Sequence, residues 1–427
     1  MHARNCQVPF PRLMRPLIAA LAACAGCGAW AQETSPYYIG VTQTLTHDSN
    51  VFRVPDGPSD SYSSTGLVGG IDQTFSRQRV HATVDLRYNK YQDQSTLDNT
   101  SYGVNAGWDW ATIENLAGRL NVNANQALAS FNGNANRPIA SRNILKTEQF
   151  SASVRWGGEG RLTLDGAYAH SRVRYSAPEF LSSQSSGDTV SIGATYRLSP
   201  DLRVGSALRF TRTVSPFAIP IVATPIGPDD YRSNTSNGRN LDFTADWRAT
   251  ARTGVNARLS WTKQDNNGAE DRNFSGLTGE LAASYAPTAK LTFTAAAGRE
   301  AGTNGSFFNI GSSTPGTTPN RGLSENSRTT DSVSLGAAYA VTAKIALNAG
   351  AQYSRSKLVD SFAAGNTTGS SERSDSARSV SLGATYAIAR AWQLGCNLAH
   401  VARSASGTFA YSYTADIVGC TAQFTLR

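Results

Sequence analysis

The stretch "SVSLGATYAIA" at residues 379–389 nearly repeats "SVSLGAAYAVT" at 332–342 and "TVSIGATYRLS" at 189–199. Alternate side chains of a strand face opposite ways, so Val380, Leu382, Ala384 and Tyr386 share one face while Ser379, Ser381, Gly383 and Thr385 share the other. One face is apolar, the other small and polar. The same alternation runs through "VHATVDLRY" (80–88), "LDFTADW" (241–247), "VNARLSW" (255–261) and "LTFTAAAG" (291–298). A single segment of this kind fits any half-buried sheet; its repetition along the chain is what discriminates.

From Tyr37 to Arg427 the alternation yields about eighteen segments of roughly 12 residues each. At ~3.3 Å per residue and a tilt near 40°, such a segment climbs about 30 Å, enough to cross an outer membrane's apolar band of about 25 Å. Soluble strands are usually about half that length. The links between segments also alternate. Tight ones fall at 76–78, 157–160, 199–201, 249–254, 286–289 and near Thr342 and Ala389; longer polar ones fall at 48–60, 132–146, 177–188, 215–237, 304–328 and 360–378. Short turns on one rim and long loops on the other are the layout of a transmembrane antiparallel up-and-down β-barrel, with the short turns in the periplasm. A sandwich or propeller has no reason to sort its connections so.

Aromatic residues give an independent reading. Trp110, Trp156, Tyr196, Trp247, Tyr285, Tyr339 and Tyr386 each precede a short turn with the parity of the apolar face. Rings with an apolar body and a polar tip belong at the headgroup level, so these seven are read as an aromatic girdle. Backbone groups in hydrocarbon tolerate no open edge, so "YYIGVTQTL" (37–45) is expected to zip against "IVGCTAQFTLR" (417–427). The chain ends in Arg427, where many such barrels carry an aromatic signal for the barrel-assembly machinery.

Composition agrees. Of 427 residues 40% are hydrophobic, with 38 glycines and only 2 methionines, and no apolar run reaches the roughly 18 residues of a membrane helix. Residues 1–31 read as a signal peptide: Arg4, Arg12 and Arg15 precede the apolar run from Leu17 to Ala23, and Ala29-Trp30-Ala31 forms an A-x-A cleavage site before Gln32. The rival is a lipoprotein box ending at Cys24. Residues 32–427 are then one barrel in the outer membrane of a Gram-negative cell. Losing the three arginines takes the formal charge from +8 to +5, too small an excess to imply nucleic acid.

By parity the inward, lumen-lining set comprises Arg87, Arg155, Arg197, Arg203, Arg209, Arg248 and Arg258 together with Asp85, Asp109, Asp165, Asp242, Asp246 and Glu280. Small polar residues fill the rest, leaving a bore for water. The links 215–237 and 304–328 are long enough to fold inward and narrow it, or to stay on the surface. The mature chain keeps only His47, His81, His170 and His400, with no nucleophile at a recognisable spacing, so no catalytic residue, metal site or cofactor is expected. Cys396 and Cys420 are equidistant from position 408, the expected tip of the last hairpin, so they should lie opposite each other on the lipid face; a disulfide and two unpaired thiols are both open.

The N-terminal run "YYIGVTQTLTHDSNVFRVPDG", then "QRVHATVDLRYNKYQ" (78–92) and "WDWATIENLAGRL" (108–120), resemble the EpsL-like outer-membrane β-barrel porins associated with exopolysaccharide biosynthesis operons. The resemblance implies a role in exporting an exopolysaccharide, with outer-membrane lipid, polysaccharide and periplasmic export components as partners, and it transfers no functional residue. A conduit for an acidic polymer should have a mainly basic lumen, whereas seven arginines against six acids suit a neutral polymer or general solutes. Three functions therefore stand side by side: an exopolysaccharide export channel, a general diffusion porin for small hydrophilic solutes, and a non-conducting barrel with polymer-binding loops.

Overall fold

The computed structural model describes residues 35–427 apart from 132–141, 159, 221–228, 230, 268–269, 302–326, 365–366 and 407–411. The signal segment with Cys24, nearly all of the link 304–328 and the tip at 408 lie outside the described residues. The described chain is built from strands. The first six are β1 (Tyr37–Asp48), β2 (Asp60–Phe75), β3 (Gln78–Tyr91), β4 (Asn99–Ala111), β5 (Leu116–Leu128) and β6 (Ile144–Trp156). Then come β7 (Leu162–Tyr175), β8 (Ser185–Ser199), β9 (Leu202–Pro220), β10 (Tyr231–Thr250), β11 (Thr253–Asn267) and β12 (Phe274–Thr288). The set ends with β13 (Leu291–Ala301), β14 (Ser327–Ala340), β15 (Ile345–Ala364), β16 (Thr367–Ala387), β17 (Trp392–Ala405) and β18 (Tyr413–Leu426).

Each strand pairs antiparallel with the next, and β1 also pairs with β18 from Ile39↔Leu426 to Asp48↔Ile417. The eighteen strands thus close into one up-and-down cylinder with no free edge. At the seam the Thr44 and Thr421 hydroxyls meet at 2.8 Å. Gly40 lies so close to the Phe424 carbonyl that an added Cβ would sit 2.4 Å from it, so glycine is the residue this seam accepts.

Alternation assigns the two faces. Val41, Leu67, Leu86, Ile192, Phe243, Leu259, Leu335 and Leu382 are all exposed outward, an arrangement that water would penalise and acyl chains reward. Among the described residues the core of buried hydrophobes is correspondingly small. It gathers where the β1–β2 link meets the 3-10 turn Ser95–Leu97: Val51, Tyr91 and Leu97 pack with Phe52, Tyr62, Leu128 and Phe131. That patch braces one side of the rim with long links.

On the opposite rim the turns are tight. Gly157 (φ 117°) and Gly158 (φ 51°) supply left-handed backbone after Trp156, and Ser76 (φ 55°) does so between β2 and β3. The long-link rim departs from expectation in four places, two of them large. Most of 360–378 is strand, because β15 and β16 run to Ala364 and from Thr367; likewise β9 continues to Pro220 and β10 begins at Tyr231, shortening the link 215–237. The same correction, smaller, applies at 132–146 and 177–188, where β6 starts at Ile144 and β8 at Ser185. These extensions rise beyond the apolar band, where a strand in water no longer needs an apolar face and the period-two signal disappears.

Candidate pore lining

The register places Asp85 and Arg87 of β3, Asp109 of β4, Arg155 of β6, Asp165 of β7 and Arg197 of β8 on the face opposite the exposed apolar rows. Arg203 and Arg209 of β9, Asp242 and Asp246 of β10, Arg258 of β11 and Glu280 of β12 share that inner face. Arg248 lies beyond the register shift at the end of β10, its N–H donating to the Asp201 carbonyl at 2.7 Å.

Most of these charges meet an opposite one. Arg155 reaches Asp165 at 2.7 Å, Arg87 reaches Asp85 on its own strand at 3.3 Å, and Arg209 grips both carboxylate oxygens of Asp242 at 2.8 and 3.0 Å. Arg258 bonds Glu300 at 2.5 Å and lies 3.9 Å from Glu280. The lining is therefore largely neutralised by local partners, with Arg258 shared between two glutamates, rather than being a field of free charges in numerical balance. Arg197, Arg203, Arg248 and Asp246 are different: near the short-turn rim Arg197 faces Arg203 directly, Arg203 faces Asp246, and none of the four forms a salt bridge among the described residues. The inner entrance keeps a residual positive charge.

Parity counting overlooked several members of the lining. Arg119 pairs with Asp109; Arg79 pairs with Asp72 at 2.6 Å beside the β2–β3 turn; Arg403 pairs with Asp375; and Arg53 from the β1–β2 link closes on Asp48 at 2.6 Å. Arg119 had the right parity, between Gly118 and Leu120. Glu300 lies beyond the alternating stretch 291–298, on the continuation of β13 to Ala301.

The lumen is lopsided. Along β3 to β7 inward side chains such as Thr83, Asn105, Ser153 and Ala167 are exposed to the bore. Along β9 to β12 the inward Thr213, Asn240, Asp242, Ser260, Thr262 and Thr278 are buried. There the Thr262 hydroxyl donates to Asn240 Oδ1 at 2.7 Å and meets the Thr278 hydroxyl at 2.7 Å, so burial leaves these groups satisfied. Strand β15, far from β9 around the sheet, nevertheless touches both β9 and the 3-10 turn Glu270–Arg272 that joins β11 to β12. The long-link mouth is thereby narrowed across one side, while the inner face of β3–β7 stays exposed.

The other residues singled out from sequence are distributed over both faces of the wall. Trp156, Tyr196, Trp247, Tyr285, Tyr339 and Tyr386 are exposed on the outer face, and Trp110 is half-buried there over Gly118. Cys396 and Cys420 are directly opposed, disulfide-bonded, with Cα atoms 4.1 Å apart. His81 faces inward with its Nδ1 buried and unpartnered; His170 and His400 point outward to Asp188 and Asp416 at 2.9 and 2.7 Å. Among the described residues no three His, Cys, Asp or Glu side chains converge on a metal position.

A closed antiparallel cylinder with an apolar exterior and a polar interior is an outer-membrane β-barrel, and its place is the outer membrane of a Gram-negative cell. No family model matches the sequence, and no curated protein does. Solved structures with likeness to the chain include outer membrane protein opdK of Pseudomonas aeruginosa (13% identity, 91% of this chain and 99% of that one, TM-score 0.45). Another is OccAB2 of Acinetobacter baumannii (8% identity, 91% and 97%, TM-score 0.46). A third is the siderophore receptor PirA of Acinetobacter baumannii (8% identity, 92% and 81%, TM-score 0.42). Identities this low speak to no solute.

Proposed function

We propose that the protein is a water-filled outer-membrane channel through which a neutral or weakly charged exopolysaccharide leaves the cell. The observation that carries the channel reading is the bore along β3 to β7, lined by exposed Thr83, Asn105 and Ser153 and by arginine–carboxylate pairs. Hydroxyls, amides and neutralised pairs offer many weak hydrogen bonds to a sugar chain and no deep electrostatic well to trap it. The polymer itself is suggested by the EpsL-like strand and turn patterns at the N-terminus. Membership of that family, the export partners and assembly by the barrel-assembly machinery belong to the same proposal.

A second reading, a diffusion porin for small hydrophilic solutes, is favoured by the contact of β15 with β9, which narrows the mouth. Deleting the gene separates the two. Export predicts polymer trapped in the periplasm and less of it secreted; unchanged secretion with none trapped leaves the porin. Planar-bilayer recording tests both, since a barrel that never conducts would be a structural one.

A further inference from the structure

The exterior of the barrel changes character abruptly at one level. In β10 the outward side chains run Trp247, Ala245, Phe243, Leu241 and then Arg239; in β11 they run Val255, Ala257, Leu259, Trp261 and then Lys263. Trp247 to Arg239 covers about 26 Å of strand, or about 20 Å along the axis at the usual tilt, close enough to the far side of a band of about 25 Å for the long Arg239 and Lys263 side chains to reach the headgroups. Arg239 and Lys263 are direct cross-strand partners, and Arg212 of β9 lies diagonal to Arg239, whose own partner on that strand is Phe210. All three are exposed.

Like charges opposed across a sheet repel, and among the described residues none of the three is in a salt bridge. Some other outward cations are matched, Arg174 by Glu148 at 2.6 Å and Arg299 by Asp331 at 2.6 Å, whereas Arg239 and Lys263 face each other directly. Two acids lie near the group: Asp188, the direct cross-strand partner of Arg212, which also accepts from the Tyr168 hydroxyl at 2.7 Å and meets His170 at 2.9 Å, and Asp265, next outward from Lys263 on its face. Three cations against two carboxylates leave the group net cationic by one charge, centred on the opposed Arg239 and Lys263.

We infer that Arg212, Arg239 and Lys263 hold the phosphates of a phosphorylated, multiply acylated glycolipid of the outer leaflet, the lipid A portion of lipopolysaccharide. Guanidinium forks clasp phosphate oxygens two at a time, and the lysine adds a compact third charge. The exposed Leu241, Leu259 and Trp261 lie immediately toward the membrane from the cations, where acyl chains attached to the same headgroup would run. A free phosphate or soluble polyanion would gain nothing from that apolar surface. The site is on the rim away from the short turns, hence in the outer leaflet, and the directly opposed Arg239 and Lys263 can each take one phosphate of a bisphosphorylated headgroup.

The test titrates the full-length mature protein, folded in a nonionic detergent, with bisphosphorylated lipid A, dephosphorylated lipid A and phosphatidylglycerol, reading bound lipid by native mass spectrometry. The expected result is a discrete adduct with the bisphosphorylated form, weakened at least about tenfold by Arg239→Gln with Lys263→Gln or by dephosphorylation. Unchanged heat-modifiable migration on a gel shows that the variant is folded, and Arg212→Gln alone provides a milder second test. Equal binding by the double variant, or by the dephosphorylated lipid, overturns the inference; binding of phosphatidylglycerol as tight as that of lipid A overturns the assignment to a glycolipid.

Discussion

Asp242 is a carboxylate sunk into the wall of a wet cylinder, its side chain only 7% exposed and its charge answered by Arg209. Breaking such a pair from one side leaves the partner stranded, so Arg209→Ala is expected to cost about 3 kcal/mol, and Arg209→Ala with Asp242→Ala less than that. Arg79→Ala breaks a half-exposed pair with Asp72 and should cost under about 0.5 kcal/mol. Urea unfolding in lipid vesicles, followed by tryptophan fluorescence, measures all three; equal costs for Arg209→Ala and Arg79→Ala would refute the account. Residue types and faces were legible in the sequence here, but partners were not. Arg155 and Asp165 flank one turn, so the turn sets their register, whereas Arg258 reaches past β12 to Glu300 on β13. No local pattern encodes that reach.

The elements divide according to what each strand touches. Where lipid is the neighbour, as in Val380 to Tyr386 of β16, alternation was unmistakable. Where the same strand stands in water, from Thr367 onward, its Ser, Asp and Arg residues resembled a loop. Among the described residues this is the longest hairpin, and its outer part carries no alternation to mark it. Replacing 358–373 by a short turn should remove the contact of β15 with β9 and the Glu270–Arg272 turn. Single-channel conductance is then expected to rise severalfold, and an unchanged conductance would show that the passage is limited elsewhere. The last hairpin carries a separate test. With Cys396 joined to Cys420, unreduced protein should show no free thiol from this pair, and Cys396→Ser with Cys420→Ser should lower stability by up to about 3 kcal/mol. Two free thiols per unreduced chain would contradict the bond.

For the molecule as a whole, the charges at the inner entrance that lack a salt bridge among the described residues are Arg197, Arg203, Arg248 and Asp246. Their net positive charge raises the local concentration of anions, so reversal potentials in a salt gradient should give chloride a modest preference over potassium, about twofold. Glutamine at the three arginines should abolish it; a cation preference in the parent protein would overturn the charge assignment. The seam has a different kind of consequence. Because Tyr37–Asp48 and Tyr413–Leu426 are neighbours in space but lie at opposite ends of the described chain, hydrogen bonding around the circumference stays incomplete until the C-terminal segment has been synthesised and delivered. A chain ending anywhere before Tyr413 would leave the edge of β1 unpaired, so closure of the cylinder waits on its last strand.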